Sequence, residues 1–207
     1  MIRSQALTSL LLAGLAVLLP LLGSCAKSAP THFYTLAPEV PKPGAGEAGK
    51  AVAGKPCPSL GIGPVEFPTY LDRNQIVTQG EDQRMFIAEF DQWIEPVQDN
   101  FKRTLLADLG ADTCAKPLVL SPWPPGVQPD YQVAIQVRRL DGTLGREAVL
   151  QADWSVLDAS GKVLSWQTSL YTEPLTGPGY AELAMAQSRA VARLAKDIAG
   201  QVGSLKP

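Results

Sequence analysis

Residues 131–138 have the sequence Tyr-Gln-Val-Ala-Ile-Gln-Val-Arg, in which apolar side chains alternate with mostly polar ones. A period of two places successive side chains on opposite faces of a strand, so this alternation predicts a strand with one buried face. Turn-prone segments follow at 140–145 and again at 158–162, and β-prone residues occupy 147–157 and 163–171. Together these segments predict three consecutive strands joined by tight turns, a β-meander.

Two amphipathic helices are predicted, one before the meander and one after it. The first begins at Glu95-Pro96, because proline suits a first helical turn, and ends near Gly110. Its apolar residues recur at helical spacing on one face, and they are Val97, Phe101, Leu105, Leu106 and Leu109. The second helix runs from about residue 180 to residue 202 and has a similar apolar face.

Shorter β-prone segments complete the predicted fold. They occupy residues 32–36, 60–67, 75–79, 85–90 and 116–120. The third and fourth of these segments, 75–79 and 85–90, flank a polar turn and predict a hairpin. We therefore predict an α+β fold in which a mostly antiparallel sheet carries two amphipathic helices on one face.

The first 25 residues have the pattern of a bacterial lipoprotein signal. Arg3 precedes an apolar run at 6–22, and Leu22-Gly23-Ser24-Cys25 follows as a lipobox. We predict that residues 1–24 are cleaved and that Cys25 carries a covalent lipid, and no cofactor is predicted. A membrane-spanning anchor is the alternative, but about 17 apolar residues are at the lower limit for crossing a bilayer, and Pro20 breaks the helix near its end.

The predicted mature chain divides into two parts. Removal of 24 residues from 207 leaves 183, a length typical of a single domain. Residues 25–58 form a lipidated N-terminus with a short strand and a flexible Pro/Gly loop, and 59–207 form a globular periplasmic α+β domain. The formal net charge of −2 argues against a nucleic-acid partner. Ala26 and Lys27 follow the lipidated cysteine, and the absence of Asp there predicts the outer membrane, on its periplasmic face.

Two further cysteines, Cys57 and Cys114, remain in an oxidising compartment. We predict that they form a disulfide. Two separate buried thiols are the alternative, since spacing alone does not establish the geometry of a bridge.

The sequence argues against an enzyme. His32 is the single histidine, and its position close to the lipid tether argues against a catalytic triad. No His or Cys cluster has the spacing of metal ligands, so no metal site is predicted. The nearby carboxylates are expected to be a solvated face or ion-pair partners rather than an acid/base pair, and they are Glu66, Glu89, Asp91 and Glu95.

Aromatic residues give a better indication of a contact surface. Trp93, Trp123 and Tyr131 lie at the ends of predicted elements or in loops. Such side chains often mark interaction surfaces, although they can equally close the ends of a sheet core.

Several motifs occur together and resemble one known family. After the lipobox come Phe-Tyr-Thr-Leu at 33–36, Gly-Ile-Gly-Pro-Val-Glu-Phe-Pro-Thr-Tyr-Leu-Asp-Arg-Asn-Gln-Ile-Val at 61–77, and Ala-Glu-Phe-Asp-Gln-Trp-Ile-Glu-Pro at 88–96. This combination resembles the PqiC (YmbA-like) family of ABC-transport auxiliary lipoproteins over essentially the whole mature chain. The resemblance implies a small α/β domain with two helices on a sheet, which agrees with the fold predicted above.

The resemblance also implies a role. An outer-membrane lipoprotein of this kind works with a PqiB-like MCE-domain protein that bridges the periplasm, in a system that moves lipids between membranes and supports envelope integrity. Family members are thought to form homo-oligomeric rings that receive the tip of the MCE tunnel. We expect the docking surface on the 68–74 loop, the 89–95 turn and the loop around residue 123, where aromatic or proline groups stand beside charge. The candidate residues are Tyr70, Asp72, Arg73, Trp93, Glu95 and Trp123.

A second hypothesis belongs to a different class. An assembly or pilot lipoprotein for another envelope complex, such as a secretin, would share the tether, the disulfide and the small domain. A neighbouring gene for an MCE protein would favour transport, and one for a secretin would favour piloting. A lipid or peptidoglycan hydrolase is the least favoured hypothesis, because the sequence offers no nucleophile–base pair.

Overall fold

A computed structural model describes residues 29–39 and 57–205 of the chain. The predicted signal peptide, Cys25 and residues 40–56 of the predicted Pro/Gly loop lie outside the described residues. The strands are β1 (His32–Tyr34), β2 (Leu60–Glu66), β3 (Gln75–Gln79), β4 (Met85–Trp93), β5 (Leu118–Leu120), β6 (Tyr131–Thr143), β7 (Glu147–Asp158) and β8 (Val163–Pro174). The helices are α1 (Val97–Asp112) and α2 (Tyr180–Ser204), and a 3-10 turn spans Thr69–Leu71.

The larger sheet has the strand order β5-β2-β6-β7-β8. Strands β6, β7 and β8 form the predicted antiparallel meander, with Ile135 opposite Trp154 and Trp154 opposite Gln167. Strand β2 pairs in parallel with both β5 and β6. The α+β class and the two helices are therefore confirmed, but the sheet is mixed, because the chain passes through a hairpin and α1 before it returns beside β2.

A second, three-stranded sheet has the order β1-β4-β3. The predicted hairpin forms its antiparallel part, and β1 adds in parallel to the end of β4, with Tyr34 opposite Trp93. The short strand at 32–34 therefore belongs to the folded unit. Two sheets, rather than the single predicted one, share the core.

Both helices pack on one face of the larger sheet, as predicted. Helix α1 contacts β2 and β5, α2 contacts β6, β7 and β8, and the two helices contact each other. The fully buried apolar side chains between these layers include Phe101, Leu105, Leu109, Leu183, Leu194 and Ile198. Burial of each such side chain stabilises the fold by about 1.5–3 kcal/mol.

Leu36 attaches the segment after β1 to helix α1. Its side chain is buried, its backbone N–H donates to Asn100 Oδ1 at 2.6 Å, and its carbonyl accepts from Asn100 Nδ2 at 3.2 Å. The buried amide of Asn100 is thereby satisfied by backbone rather than by water.

Cys57 and Cys114 form the predicted disulfide, with their Cα atoms 5.4 Å apart. The bridge joins the segment before β2 to the segment after α1. Two backbone hydrogen bonds support the same junction, from Lys116 N–H to the Pro58 carbonyl at 3.0 Å and from Leu60 N–H to the Pro117 carbonyl at 2.9 Å.

Among residues 29–39 and 57–205, no helix is long and apolar enough to cross a membrane. Helix α2 has 25 residues, but only one of its faces is apolar.

Candidate docking surface

The 3-10 turn that follows β2 carries three of the predicted docking residues close together. Leu71 is buried and anchors the turn, while Asp72 is exposed. Arg73 Nε donates to the Tyr70 carbonyl at 2.9 Å, and the Tyr70 hydroxyl donates to Asp141 Oδ2 at 3.1 Å. The turn is thus fixed from both sides, and it presents Asp72 to solvent.

Asp141, on β6, is the buried end of this network. Its side chain is 2% exposed and forms an ion pair with Arg139 at 2.7 Å, and Arg139 also donates to Gln79 Oε1 at 2.5 Å. Burial, together with the negative charge of Asp141, raises the pKa of the Tyr70 hydroxyl well above its usual range. Tyr70 therefore stays protonated and keeps donating its hydrogen bond at any physiological pH.

Trp93 is buried, although the sequence had suggested it as a docking residue. Its side chain is only 4% exposed and belongs to the core, so it presents no ring to a partner. Its backbone N–H donates to the Asn74 carbonyl at 2.7 Å. The next residue, Ile94, is 61% exposed and is the apolar group that this corner presents to solvent.

Glu95 lies just before helix α1 and forms an ion pair with Arg103 in which both guanidinium NH groups contact the carboxylate. These hydrogen bonds hold the pKa of Glu95 below its usual range. The charge of Glu95 is therefore compensated within the molecule.

The structure brings two of the three predicted docking segments together. The 68–74 loop and the 89–95 turn are neighbours, because Gln75 pairs with Gln92 and Trp93 bonds to Asn74. Trp123 lies elsewhere, half-buried against Gly61 at the start of β2. Since the turn follows the far end of this strand, about 20 Å of chain separates the two places. Trp93 is buried, and the other five candidates therefore occupy two surfaces rather than one.

Gly61 is what allows Trp123 to pack there. A Cβ atom at Gly61 would lie 2.7 Å from Trp123 Cη2 and 2.8 Å from Pro129 Cγ. Glycine is thus required at position 61 by the close approach of a side chain.

The region around the single histidine contains partnered polar groups. The Tyr34 hydroxyl donates to Asp91 Oδ1 at 2.6 Å, and His32 Nδ1 lies 3.4 Å from the same oxygen. Burial and the hydrogen bond to Asp91 raise the pKa of Tyr34 to about 12. Within the part of the chain that the structure describes, no group of three His, Cys, Asp or Glu residues could hold a metal ion.

Sequence reasoning missed the open face of the larger sheet, opposite the helices. A shallow cavity of about 140 Å³ lies there, lined by Ala134 and Ser155 with Trp166 and Pro64 among its neighbours. Trp166 is 63% exposed, more than any other large apolar side chain among the described residues. A signal was available, because residues 163–172 contain no charged side chain and include Leu164, Trp166 and Leu170.

Two solved structures share this fold. An uncharacterized protein, 19% identical, superposes with a TM-score of 0.66 over 84% of this chain and 99% of its own. A protein from Xanthomonas campestris, described as belonging to the DUF330 family, is 15% identical, with a TM-score of 0.66 over 83% of this chain and 94% of its own. At these identities the likeness concerns the fold alone. A comparison with curated proteins gave no significant match.

A family model gives more than the fold. The model described as "ABC-type transport auxiliary lipoprotein component" matches residues 34–199, a range that extends from the end of β1 into α2. The match agrees with the lipobox at Cys25 and with the two-helix α+β architecture. The chain therefore belongs to the family of ABC-type transport auxiliary lipoprotein components.

Proposed function

We propose that this protein is an outer-membrane accessory subunit of an MCE-type, PqiABC-like intermembrane lipid transport system. It docks the periplasm-spanning MCE component, a PqiB-like protein, and thereby supports envelope integrity. The family match over residues 34–199 is the observation that carries this proposal. The lipobox supports it by supplying the attachment to a membrane.

A docking role fits the chemistry of the described residues better than catalysis does. His32 is exposed and faces Asp91, and Asp91 is already engaged by Tyr34. The other carboxylates near the candidate surface are held in ion pairs or exposed to solvent. We therefore assign the protein a binding function and no reaction.

The sorting residues Ala26 and Lys27 favour the outer membrane as the site of attachment. Density-gradient fractionation of cells tests this placement. We expect the protein in outer-membrane fractions, and recovery wholly in inner-membrane fractions would refute the placement.

The docking surface is best placed on the turn after β2 and the corner before α1. Asp72 and Ile94 are exposed, while Tyr70, Arg73 and Glu95 are held by hydrogen bonds within the molecule. A surface that is fixed before binding loses little conformational entropy when a partner arrives. Trp123, at the other end of β2, is a second and separate candidate.

Photocrosslinking in cells that contain the MCE protein tests this surface. A crosslinking amino acid at Asp72 or Ile94 is expected to capture the MCE protein, whereas one at Lys196, exposed on α2, is the matched control. The same probe at Trp123 asks whether the other end of β2 also contributes. Failure of both Asp72 and Ile94, or equal capture from Lys196, would remove the surface from the proposal.

Purification of tagged protein from membranes tests the system as a whole. We expect the MCE component to co-purify, and we expect several copies of this chain to gather at its tip as a ring. Recovery of a secretin without an MCE protein would replace the proposal by the pilot function.

A further inference from the structure

The three-stranded sheet β1-β4-β3 carries exposed apolar side chains on its strands. Phe33, Ile87 and Met85 are 57%, 53% and 45% exposed. A single exposed apolar side chain is ordinary, whereas several on one face of a small sheet mark a contact surface. Whether these three side chains share a face is decided by the register of the strands.

The strand register places Phe33 and Ile87 on one face. Phe33 pairs with Gln92, and Gln92 pairs with Gln75. Ile87 pairs with Val77, which lies two residues after Gln75 on β3 and therefore has the same orientation. Because residues paired across strands point to the same side of a sheet, Phe33 and Ile87 lie on the same side.

Met85 continues the same row. It lies two residues before Ile87 and pairs with Gln79, so the row of apolar side chains follows β4 for about 20 Å. The opposite face of this strand carries Ala88 and Trp93, which are both buried in the core. The apolar row therefore lies on the outer face of the sheet, turned away from the core.

The predicted lipid attachment lies close to this outer face. Phe33 follows Cys25 by eight residues, and eight extended residues span at most about 29 Å. Another group of exposed apolar side chains, among them Trp166 and Leu170, lies on β8 in the other sheet, far along the chain from Cys25. Of the two groups, the row with Phe33 is the one that the tether holds beside the membrane.

We propose that the outer face of the three-stranded sheet lies on the lipid bilayer, with Phe33, Ile87 and Met85 in the boundary between the headgroups and the acyl chains. The acyl chains on Cys25 supply the attachment, and the apolar row sets the orientation of the domain. This inference goes beyond the proposed transport function. It rests on the lipid at Cys25 and needs no other protein.

A bilayer suits this row better than a second protein does. A stable protein interface buries about 800 Å² on each partner and needs a complementary surface. Three half-exposed side chains of at most about 250 Å² each offer well below that area. Each apolar side chain that enters a bilayer, in contrast, is stabilised without any complementary shape on the other side.

The polar neighbours of the row limit the contact to the membrane surface. Glu89 is exposed on β4, and Gln92 is half-buried beside Phe33. An interfacial contact places apolar groups only about 5–10 Å into the boundary, so these polar groups can stay among headgroups and water. Deeper insertion would take the Glu89 carboxylate into hydrocarbon at a large cost. The contact is therefore shallow.

Site-specific fluorescence of the full-length lipidated protein tests the contact. The acylation of Cys25 and the bridge between Cys57 and Cys114 leave an introduced cysteine as the thiol for labelling. Phe33→Cys and Ile87→Cys carry an environment-sensitive nitrobenzoxadiazole label, in vesicles of phosphatidylethanolamine with phosphatidylglycerol as the minor lipid. We expect blue-shifted emission from both labels, and quenching by lipids with a nitroxide near the headgroup.

Met185→Cys and Trp166→Cys are the matched controls. Both positions hold exposed apolar side chains outside the row, on α2 and on β8. Their labels are expected to emit as in water and to be little affected by the nitroxide lipids.

The double substitution Phe33→Asp/Ile87→Asp tests the contribution of the apolar groups. With the label at Met85→Cys, the ratio of docked to undocked molecules is expected to fall about tenfold or more, since burial of one such side chain contributes at least this factor. The protein should stay in the membrane fraction through its acyl chains. Phe33→Leu/Ile87→Leu should retain the quenching. Circular dichroism and intact mass establish that each variant is folded and acylated.

Four results would overturn the proposal. The first is emission as in water from both the Phe33→Cys and the Ile87→Cys labels. The second is a blue shift without quenching by nitroxide lipids, as a second copy or another protein over the row would give. The third is equal quenching at Trp166→Cys or Met185→Cys, and the fourth is a folded wild-type protein without acyl chains. The vesicles contain no MCE protein, so a negative fluorescence result leaves the proposed transport function untouched.

Discussion

Asp108 is a buried carboxylate that the fold leaves without compensation. Its side chain lies in helix α1 at 3% exposure, and neither oxygen has a hydrogen-bond partner among the described residues. Burial raises its pKa from 3.8 to about 7, although the nearby backbone N–H of Glu39 lowers it in part, and the negative charges of Asp112 and Glu39 raise it further. The neutral form of Asp108 is therefore the one that the folded protein favours.

Stability is predicted to fall with rising pH because of this residue. Between about pH 4 and pH 7 the unfolded chain has released the Asp108 proton and the folded chain retains it, so the free energy of unfolding decreases across this window. This difference between the pKa values of the unfolded and the folded chain lowers the free energy of unfolding by at most about 4 kcal/mol across the window. Below pH 4 the contribution of the neutral group is fully present, and above pH 7 it is lost.

Asp108→Asn is expected to flatten this pH dependence and to raise the free energy of unfolding at pH 8 by about 1–3 kcal/mol. Urea denaturation at pH 5 and pH 8 measures the effect. Asp72→Asn, at an exposed position away from this group of carboxylates, is the control. Parallel pH profiles for wild type and Asp108→Asn would show that Asp108 is compensated in solution.

Gly61→Ala is predicted to disturb Trp123. The added methyl group would contact the indole and Pro129 at less than 3 Å, so the ring must move or the strand must shift. We expect a loss of about 1–3 kcal/mol in the free energy of unfolding and a changed tryptophan emission spectrum. Gly200→Ala, where nothing lies within 4 Å, should instead stabilise α2 by about 0.5–1 kcal/mol. Equal stabilities of the Gly61→Ala variant and wild type would mean that Trp123 is loosely packed.

At the scale of elements, the sequence predicted what depends on local periodicity. The meander and both helices have strong periods of two or 3.6, and their observed bounds lie within a few residues of the predicted ones. The parallel pairing of β2 with β6 was not predicted, because it joins residues about 70 positions apart and leaves no periodic trace. Strand β8 was predicted at 163–171 and is observed at Val163–Pro174, but the exposure of its apolar residues was not predicted.

Trp93 was predicted to lie beyond a strand at 85–90, whereas β4 extends to Trp93 and contains an irregularity that buries this side chain. Val77 pairs with Ile87 and Gln75 with Gln92, so two steps along β3 correspond to five along β4. The phase of β4 therefore changes between Ala88, which is buried, and Trp93, which is buried at the opposite parity. A bulge of this kind re-aims a side chain, and its position is not visible in the sequence.

The contribution of the disulfide to the free energy of unfolding can be measured. Cys57 and Cys114 are 57 residues apart, and closing a loop of this length stabilises the fold by about 4 kcal/mol in the chain-entropy account. The Cys57→Ser/Cys114→Ser double variant, and wild type in reductant, are expected to lose a similar amount in urea denaturation. A loss below about 1 kcal/mol in both would contradict this account.

At the scale of the whole molecule, the order of the segments sets the distance from the membrane. Strand β1 begins at His32, seven residues after the predicted lipidated cysteine. Seven extended residues span at most about 25 Å, so the lipid would hold the folded unit close to the bilayer. The predicted Pro/Gly loop follows β1, and it therefore does not lengthen this tether. A short tether confines the domain to a thin layer and raises its effective concentration for a partner that reaches the same layer.

Cys25→Ser is predicted to abolish attachment to the membrane while leaving the fold intact. Without the acyl chains the protein should leave the membrane fraction and incorporate no labelled palmitate, and its capture of the MCE partner should fall at least tenfold because the effective concentration is lost. The fold should be unaffected, since Cys25 lies outside the described core and the disulfide uses other cysteines. The Cys57→Ser/Cys114→Ser variant provides the converse control, because it should stay in the membrane fraction and be less stable. Persistence of Cys25→Ser in membranes, with partner capture unchanged, would mean that the domain is held there by some contact other than the lipid.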